Sequence, residues 1–279
     1  MNDLESFKEQ ILKEGERLGP DHRFSFRCHP GLPCFNKCCG DVNIVLTPYD
    51  VLRLRRRLGL SSTELITRHT VRPFTKEQQL PVVLLKLEDG KPGKPCSFVG
   101  EQGCMVYEDR PWACRMYPLG TAEPQNPNPE DHAFHFLLRE DLCKGHGQGR
   151  DWSVREWISD QGIEEYDMMC SSFKELMLHP DWIKGEPIPA GKLDMVYMAC
   201  YDLDRFRRFV FETKFLDYFE VDEARIEVMR EDDEELLEFA MQWLRFSLFG
   251  DKTMKIRKSV IEAHGRAAQA ASPGGPSAP

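Results

Sequence analysis

Cys28-His29-Pro30-Gly31-Leu32-Pro33-Cys34-Phe35-Asn36-Lys37-Cys38-Cys39 is the stretch from which this chain is best read. It packs four cysteines into a Pro- and Gly-rich segment, which predicts an irregular loop over residues 20–40. If Cys34 and Cys38 share a helical turn, their i, i+4 spacing puts both sulfurs on one side. Adjacent Cys38 and Cys39 point different ways in a helix or a strand. They suit two neighbouring metals, or one cluster through a distorted turn. They do not suit a disulfide with each other, because a bridge prefers wider Cα separations than neighbours have.

Further along come Cys96, Cys104, Cys114 and Cys143. Ser97–Val99 and Met105–Tyr107 flank Gly100-Glu101-Gln102-Gly103, which predicts a small hairpin with a cysteine beside each arm. Arg110 to Tyr117 predicts a short helical turn opened by Pro111. Cys143 precedes Gly145-His146-Gly147-Gln148-Gly149, where glycines let backbone approach a bulky group. That spacing is not G-x-G-x-x-G, so a loop wrapping a metal site is the better reading than a nucleotide loop. Lys37 and Arg115 adjoin these cysteines, and as neighbours of the ligands they would offset thiolate charge.

The chain has 279 residues, 41% hydrophobic and 30% charged, with formal net charge −9. This is a globular balance, and the acidic excess lacks the basic footprint of a nucleic-acid protein. No apolar run approaches the ~18 residues of a membrane helix. Residues 1–20 carry acids and no apolar h-region, so the reading is a cytoplasmic protein with no membrane association. In a reducing compartment, ten cysteines are better explained by metal than by disulfides.

Other segments give ordinary signals. Leu4, Phe7, Ile11 and Leu18 predict an amphipathic N-terminal helix over 1–19. Asn43–Leu46, Val82–Leu87 and Phe134–Leu138 predict strands. Thr47, Pro48 and Asp50 begin a helix that Gly59 ends, and Ser61 with Glu64 forms a capping box for the next. Arg53, Arg55, Arg56 and Arg57 lie on the first of these helices, whose Val51, Leu54 and Leu58 define a buried face. Residues 123–130 read as a loop. From Trp152 the chain reads as mostly helical, with Leu203, Phe206, Phe209, Val210 and Leu216, then Leu237, Met241, Leu244 and Leu248, at helical spacing. The acidic run Glu231–Glu235 suits a helix start. Cys170 and Cys200 lie on apolar helical stretches and read as small core hydrophobes.

Zinc sites repeat C-x₂₋₄-C pairs. Here Cys34 and Cys38 fit once, and Cys96 to Cys104 is too wide. Iron–sulfur clusters tolerate irregular spacing and take four thiolates each. Eight cysteines between 28 and 143 exceed one zinc or one cluster. They suit two centres, or one cluster with spare thiols, and the balance favours iron–sulfur. His29 and His146 are candidate nitrogen ligands beside Cys28 and Cys143. The C-x₃-C-x₂-C motif of radical chemistry fails, because position 41 is Asp41.

Two ordered motifs now carry a resemblance. The first is Cys34-Phe35-Asn36-Lys37-Cys38-Cys39 followed by Ile44-Val45-Leu46-Thr47-Pro48-Tyr49-Asp50 and Arg53-Leu54. The second is Cys96-Ser97-Phe98, Gly103-Cys104, Tyr107-Glu108, Arg110-Pro111, Cys114-Arg115 and Tyr117-Pro118. Over about residues 25–150 the chain resembles the YkgJ-like cysteine-cluster proteins, the CxxCxxCC zinc- or iron-chelating family. The resemblance implies Cys34, Cys38, Cys39, Cys96, Cys104 and Cys114 as metal ligands, with Cys143 and Cys28 next. Here Cys28, five residues, Cys34, three residues, Cys38, Cys39 departs from the family spacing. Some members are described as iron–sulfur oxidoreductases, and the related flagellin lysine N-methylase methylates a protein lysine. S-adenosylmethionine would be a cofactor only on the methylase-like reading.

The expected fold is α+β and mainly helical. A cysteine-cluster metal-binding domain over 20–150, with few short strands, would pack with a helical segment over 151–265, followed by a disordered tail over 266–279. The expected function is an iron–sulfur protein that transfers electrons to a redox or protein partner, or supports a cluster-dependent modification. The alternatives are a zinc-stabilised interaction module, a metal-delivery protein, or a protein N-methylase-like enzyme.

Overall fold

The structure, a computed structural model, describes residues 16–73, 81–122, 133–183 and 189–263. Most of the expected N-terminal helix, the 123–130 loop and the C-terminal tail lie outside the described residues. Within them the chain is mixed α+β, with short strands in the cysteine-rich part and helices after it. It divides into two compact units, Met1–Trp182 and Ile183–Pro279.

The first unit is organised by a strand pair that sequence reading misses. Residues Arg23–Phe26 (β1) lie inside the stretch expected to be loop. They pair antiparallel with His146–Ser153 (β9), from Arg23 opposite Ser153 to Phe26 opposite His146, with a bulge between Ser25 and Phe26. The alternation explains the strand: Phe24 and Phe26 are buried while Arg23 is exposed. Both rings pack edge-on against Trp157, at 5.9 and 5.6 Å between centroids. Leu18, Met116, Leu119, Val154 and Ile163 complete that core. Leu18 itself is extended and bridges His135.

The remaining strands are short. Val45–Leu46 (β2), Thr70–Val71 (β3) and Val83–Leu85 (β4) form a sheet in the order β2-β4-β3. Val99–Gly100 (β5) and Gly103–Cys104 (β6) form a hairpin where one is expected, but its arms are shorter and drawn in toward the Glu101-Gln102 turn, and Tyr107 already belongs to the following 3₁₀ turn. Leu119–Ala122 (β7) pairs with Phe134–Leu137 (β8).

Pro48–Leu58 (α1) starts and stops as its sequence dictates. Thr47 and Asp50 close a reciprocal capping box, and Gly59 ends the helix at φ 63°. Ser62–His69 (α2) has the same box from Ser61 and Glu64. Trp112–Met116 (α3) is the turn behind Pro111. Val154–Asp160 (α4), Ile163–Met169 (α5) and Ser171–Met177 (α6) follow in the first unit, and Pro180–Ile183 (α7) runs to its boundary.

The second unit is helical: Ala190–Tyr201 (α8), Leu203–Phe211 (α9), Phe215–Tyr218 (α10), Glu223–Glu231 (α11) and Asp233–Phe249 (α12). Phe206, Phe209 and Phe215 surround Trp243 at 5.4–5.6 Å between centroids. Asp232 caps the start of α12 and Gly250 its end. Cys200 is buried in this unit's core, where burial pushes its thiol pKa up, as expected of an inert hydrophobe. Among the described residues no helix is long and apolar enough to cross a membrane.

Candidate metal centre

The first motif is a series of tight turns. Backbone N–H groups of Leu32, Phe35, Lys37 and Cys39 donate to the carbonyls of His29, Leu32, Cys34 and Asn36. Asn36 takes the left-handed conformation at φ 65°, which Asn tolerates better than most side chains. Lys37–Cys39 is a single 3₁₀ turn carrying the vicinal pair. Gly40 follows because the backbone of the 93–95 turn runs against it. A Cβ at position 40 would stand 2.3 Å from the Gly93 carbonyl oxygen. That approach lets the Cys96 N–H donate to the Cys39 carbonyl at 2.7 Å and joins the two motifs.

Cys96, Cys104 and Cys114 form one neighbourhood with Cys39. The β5–β6 hairpin returns Cys104 toward Cys96, whose carbonyl accepts from Val99 N–H and whose Sγ accepts from Phe98 N–H at 3.4 Å. Cys114 sits on α3, which Asp50 holds in place. The Asp50 carboxylate is fully buried and accepts from Thr47 N–H and Trp112 N–H, each at 2.7 Å. One side chain therefore caps two helices. Sequence reading found Asp50 only as the acid of α1's first turn. Burial pushes Asp50 up to about 6 against these donors. Burial, then the charges of Asp50, Cys96 and Cys104, push Cys114 up to about 12. Burial raises Cys96 and Cys104 as well.

Cys28, Cys34, Cys38 and Cys143 form the second neighbourhood. The β1–β9 pair brings Cys28 beside the residues after Cys143, and Arg27 N–H donates to the Gly145 carbonyl at 3.1 Å. Gly145 is needed there, since a Cβ would stand 2.8 Å from the Arg27 carbonyl oxygen. Residues expected to be a cofactor-wrapping glycine loop are thus largely strand, and glycine serves close backbone contact rather than a ligand. Cys34 Sγ, buried, accepts from Lys144 N–H at 3.2 Å. Burial, then the charges of Cys38, Cys34 and Cys143, push Cys28 up to about 11. The Cys39 thiol donates to Cys38 and lowers it to about 7, while Cys39 is raised in return.

Among the described residues no three Cys, His, Asp or Glu side chains stand together at metal-ion spacing. The donor chemistry nonetheless fits a thiophilic metal. Four thiols gather in each neighbourhood, and backbone N–H groups donate to Cys34 and Cys96. Tyr117 Oη, against the Cys143 thiol, and His146 Nε2 are buried without a well-formed hydrogen bond among the described residues. His29, the other candidate nitrogen ligand, is engaged through Nδ1 by Gly31 N–H.

The two expected charge neighbours differ. Lys37 is exposed. The buried Arg115 donates to the carbonyls of Arg110, Gln161 and Glu108 and stacks on Tyr166, so its role is to hold α3 against α5. The nearer cation is Arg110, which sequence reading passed over. It is buried over the Tyr107 ring, and its charge acts on Cys104 and Cys114. Arg53, from the arginine run, is not a solvated charge: it binds Asp109 at 2.8 Å and Glu165 at 2.7 Å. Cys170 lies half-buried behind α1, and burial pushes it up to about 12.

Residues 27–148 match the family model CxxCxxCC, described as "Putative zinc- or iron-chelating domain". This segment is similar to the CxxCxxCC domain over those residues, less than half of the chain. All eight cysteines of the two neighbourhoods fall within the match. Searches of the curated proteins and of the solved structures each gave no match.

Proposed function

We propose that the CxxCxxCC domain holds iron as an iron–sulfur centre and uses it for electron transfer or a cluster-dependent modification of a protein partner. The observation that carries this reading is the gathering of eight thiols on loops and tight turns, with backbone N–H groups directed at two of the sulfurs. Such turns supply the donors that stabilise thiolate and sulfide charge. Cys34, Cys38, Cys39, Cys96, Cys104 and Cys114 would be ligands, joined by Cys143 and Cys28. When bound, the cluster would supply one-electron redox chemistry. The protein's part is to hold the thiolates, to keep water from Cys34 and Cys114, and to set local charge through Arg110.

The test is anaerobic purification of the full chain, followed by absorption spectroscopy and iron, zinc and acid-labile sulfide analysis. Brown protein with broad absorption near ~400 nm and matched iron and sulfide is the expected result. Colourless protein carrying zinc and no sulfide would overturn it in favour of a zinc-stabilised interaction module.

A further inference from the structure

Residues 252–258, just past α12, hold four cations and no acid: Lys252, Lys255, Arg257 and Lys258. All four are exposed, and none has a carboxylate within ion-pair distance among the described residues. Elsewhere in the second unit Arg207, Arg225, Arg230 and Arg245 are each paired with a carboxylate. The chain carries a formal charge of −9, so this positive stretch stands against the sign of the rest.

The stretch is held as a short extended segment with one edge open. Glu220 N–H donates to the Lys255 carbonyl at 2.8 Å and Arg257 N–H to the Tyr218 carbonyl at 2.9 Å, so Phe219 and Ile256 stand opposite each other as an antiparallel pair. In a pair of this kind the flanking residues make the bonds, and the central N–H and carbonyl point away from the partner strand. Ile256 therefore turns its N–H and carbonyl outward, and neither has a partner among the described residues. Its side chain is 37% exposed. Tyr218, across from Arg257, is 45% exposed, and Ile261, whose N–H donates to the Arg257 carbonyl, is 57% exposed.

An open strand edge is a template for another chain. We infer that this edge takes an extended acidic segment of a protein partner, which pairs its backbone with Ile256 and sets carboxylates against Lys255 and Arg257. Side chains alternate along a strand, so the segment that fits reads acid, apolar, acid. Lys252 and Lys258, at the two ends, extend the positive field that the segment meets. The same features argue against a phosphodiester chain and against a bilayer. A phosphodiester offers nothing to the exposed Ile256 and Ile261, and the uniform charge of an anionic bilayer would also meet the exposed Asp217, Glu220 and Glu262. A protein segment can set a different group against each. The surface lies outside the cysteine-rich unit and stands whatever metal that unit holds.

The experiment is fluorescence anisotropy of a labelled peptide of alternating glutamate and valine, titrated with the full chain. Saturable binding is expected, weakening about tenfold between about 50 and 300 mM salt. K252E/K255E/K258E should bind about tenfold more weakly than wild type. Ile256→Pro removes only the outward N–H, because the bonds to Tyr218 and Glu220 use neighbouring residues. It should cost about fivefold, the worth of one backbone hydrogen bond. Circular dichroism checks that both variants fold, and the wild-type titration needs neither. No saturable binding, or equal binding of the matching lysine and valine peptide, would overturn the surface. Undiminished binding by folded Ile256→Pro would overturn the strand pairing. Retention on phosphatidylglycerol vesicles tighter than on the peptide would overturn the protein partner in favour of a bilayer.

Discussion

At the scale of single residues, Asp50 is the most informative side chain. It is fully buried, yet both carboxylate oxygens accept backbone N–H bonds, one at the start of its own helix and one at the start of the helix that carries Cys114. Burial outweighs those bonds and raises its pKa from 3.8 to about 6. Folded Asp50 therefore holds its proton more tightly than unfolded Asp50, and folding takes up a proton between the two values. Stability falls as pH rises through that window, by ~3 kcal/mol for a shift of this size. Asp50→Asn would remove this slope. It would also present an amide donor to one of the two N–H groups, at a cost of about 1–3 kcal/mol near pH 4, where the protonated acid is its closest comparison. Urea denaturation of both proteins from pH 4 to pH 7 checks this. Parallel curves would show that Asp50 does not titrate in the window.

At the scale of elements, the helix starts were legible because their signals are local. Thr47-Pro48-Tyr49-Asp50 and Ser61 with Glu64 need nothing beyond four consecutive residues, and both capping boxes form. The β5–β6 hairpin was legible for the same reason. The β1–β9 pair was not. Its partners lie 120 to 130 residues apart, its first strand holds only two apolar residues, and its second reads as Gly-rich loop. A strand whose reason is a distant partner leaves little mark on its own sequence. The roles of the arginines were hidden in the same way, because only the folded chain brings Asp109 and Glu165 to Arg53. That difference gives a prediction. Arg53→Met would break the ties from α1 to the turn at Asp109 and to α5, leaving a largely buried Asp109 carboxylate short of its main partner. The expected loss is about 1–3 kcal/mol. Arg57→Met, at an exposed position 4.0 Å from Asp109, should stay within about 0.5 kcal/mol. Equal effects in urea denaturation would show that the run acts only as surface charge.

At the scale of the whole molecule, the crowding of the cysteines was legible in the sequence, but which of them the fold brings near one another was not. Cys28 joins Cys143 only through strand pairing, and Cys39 joins Cys96 only because Gly40 admits the Gly93 carbonyl. The two units also differ in what can hold them. Around the thiols the strands are two residues long at β2, β3, β5 and β6, and little hydrophobic surface secures those loops. The second unit has its own aromatic core around Trp243, closed by Leu236, Leu237, Ala240 and Leu244. A ligand that binds only the folded form stabilises it by ~2.7 kcal/mol at a hundredfold excess over its dissociation constant, which is about 100-fold in local opening. Adding zinc to the reduced full chain should therefore slow amide exchange by that order at residues 37–39, 96–104 and 143–146. Core amides of α8, α9 and α12 should change little, because their protection comes from their own packing. Hydrogen exchange read by mass spectrometry, with and without metal, measures both sets at once. Slowing of equal size in both would mean that the cysteine loops open only when the entire chain unfolds.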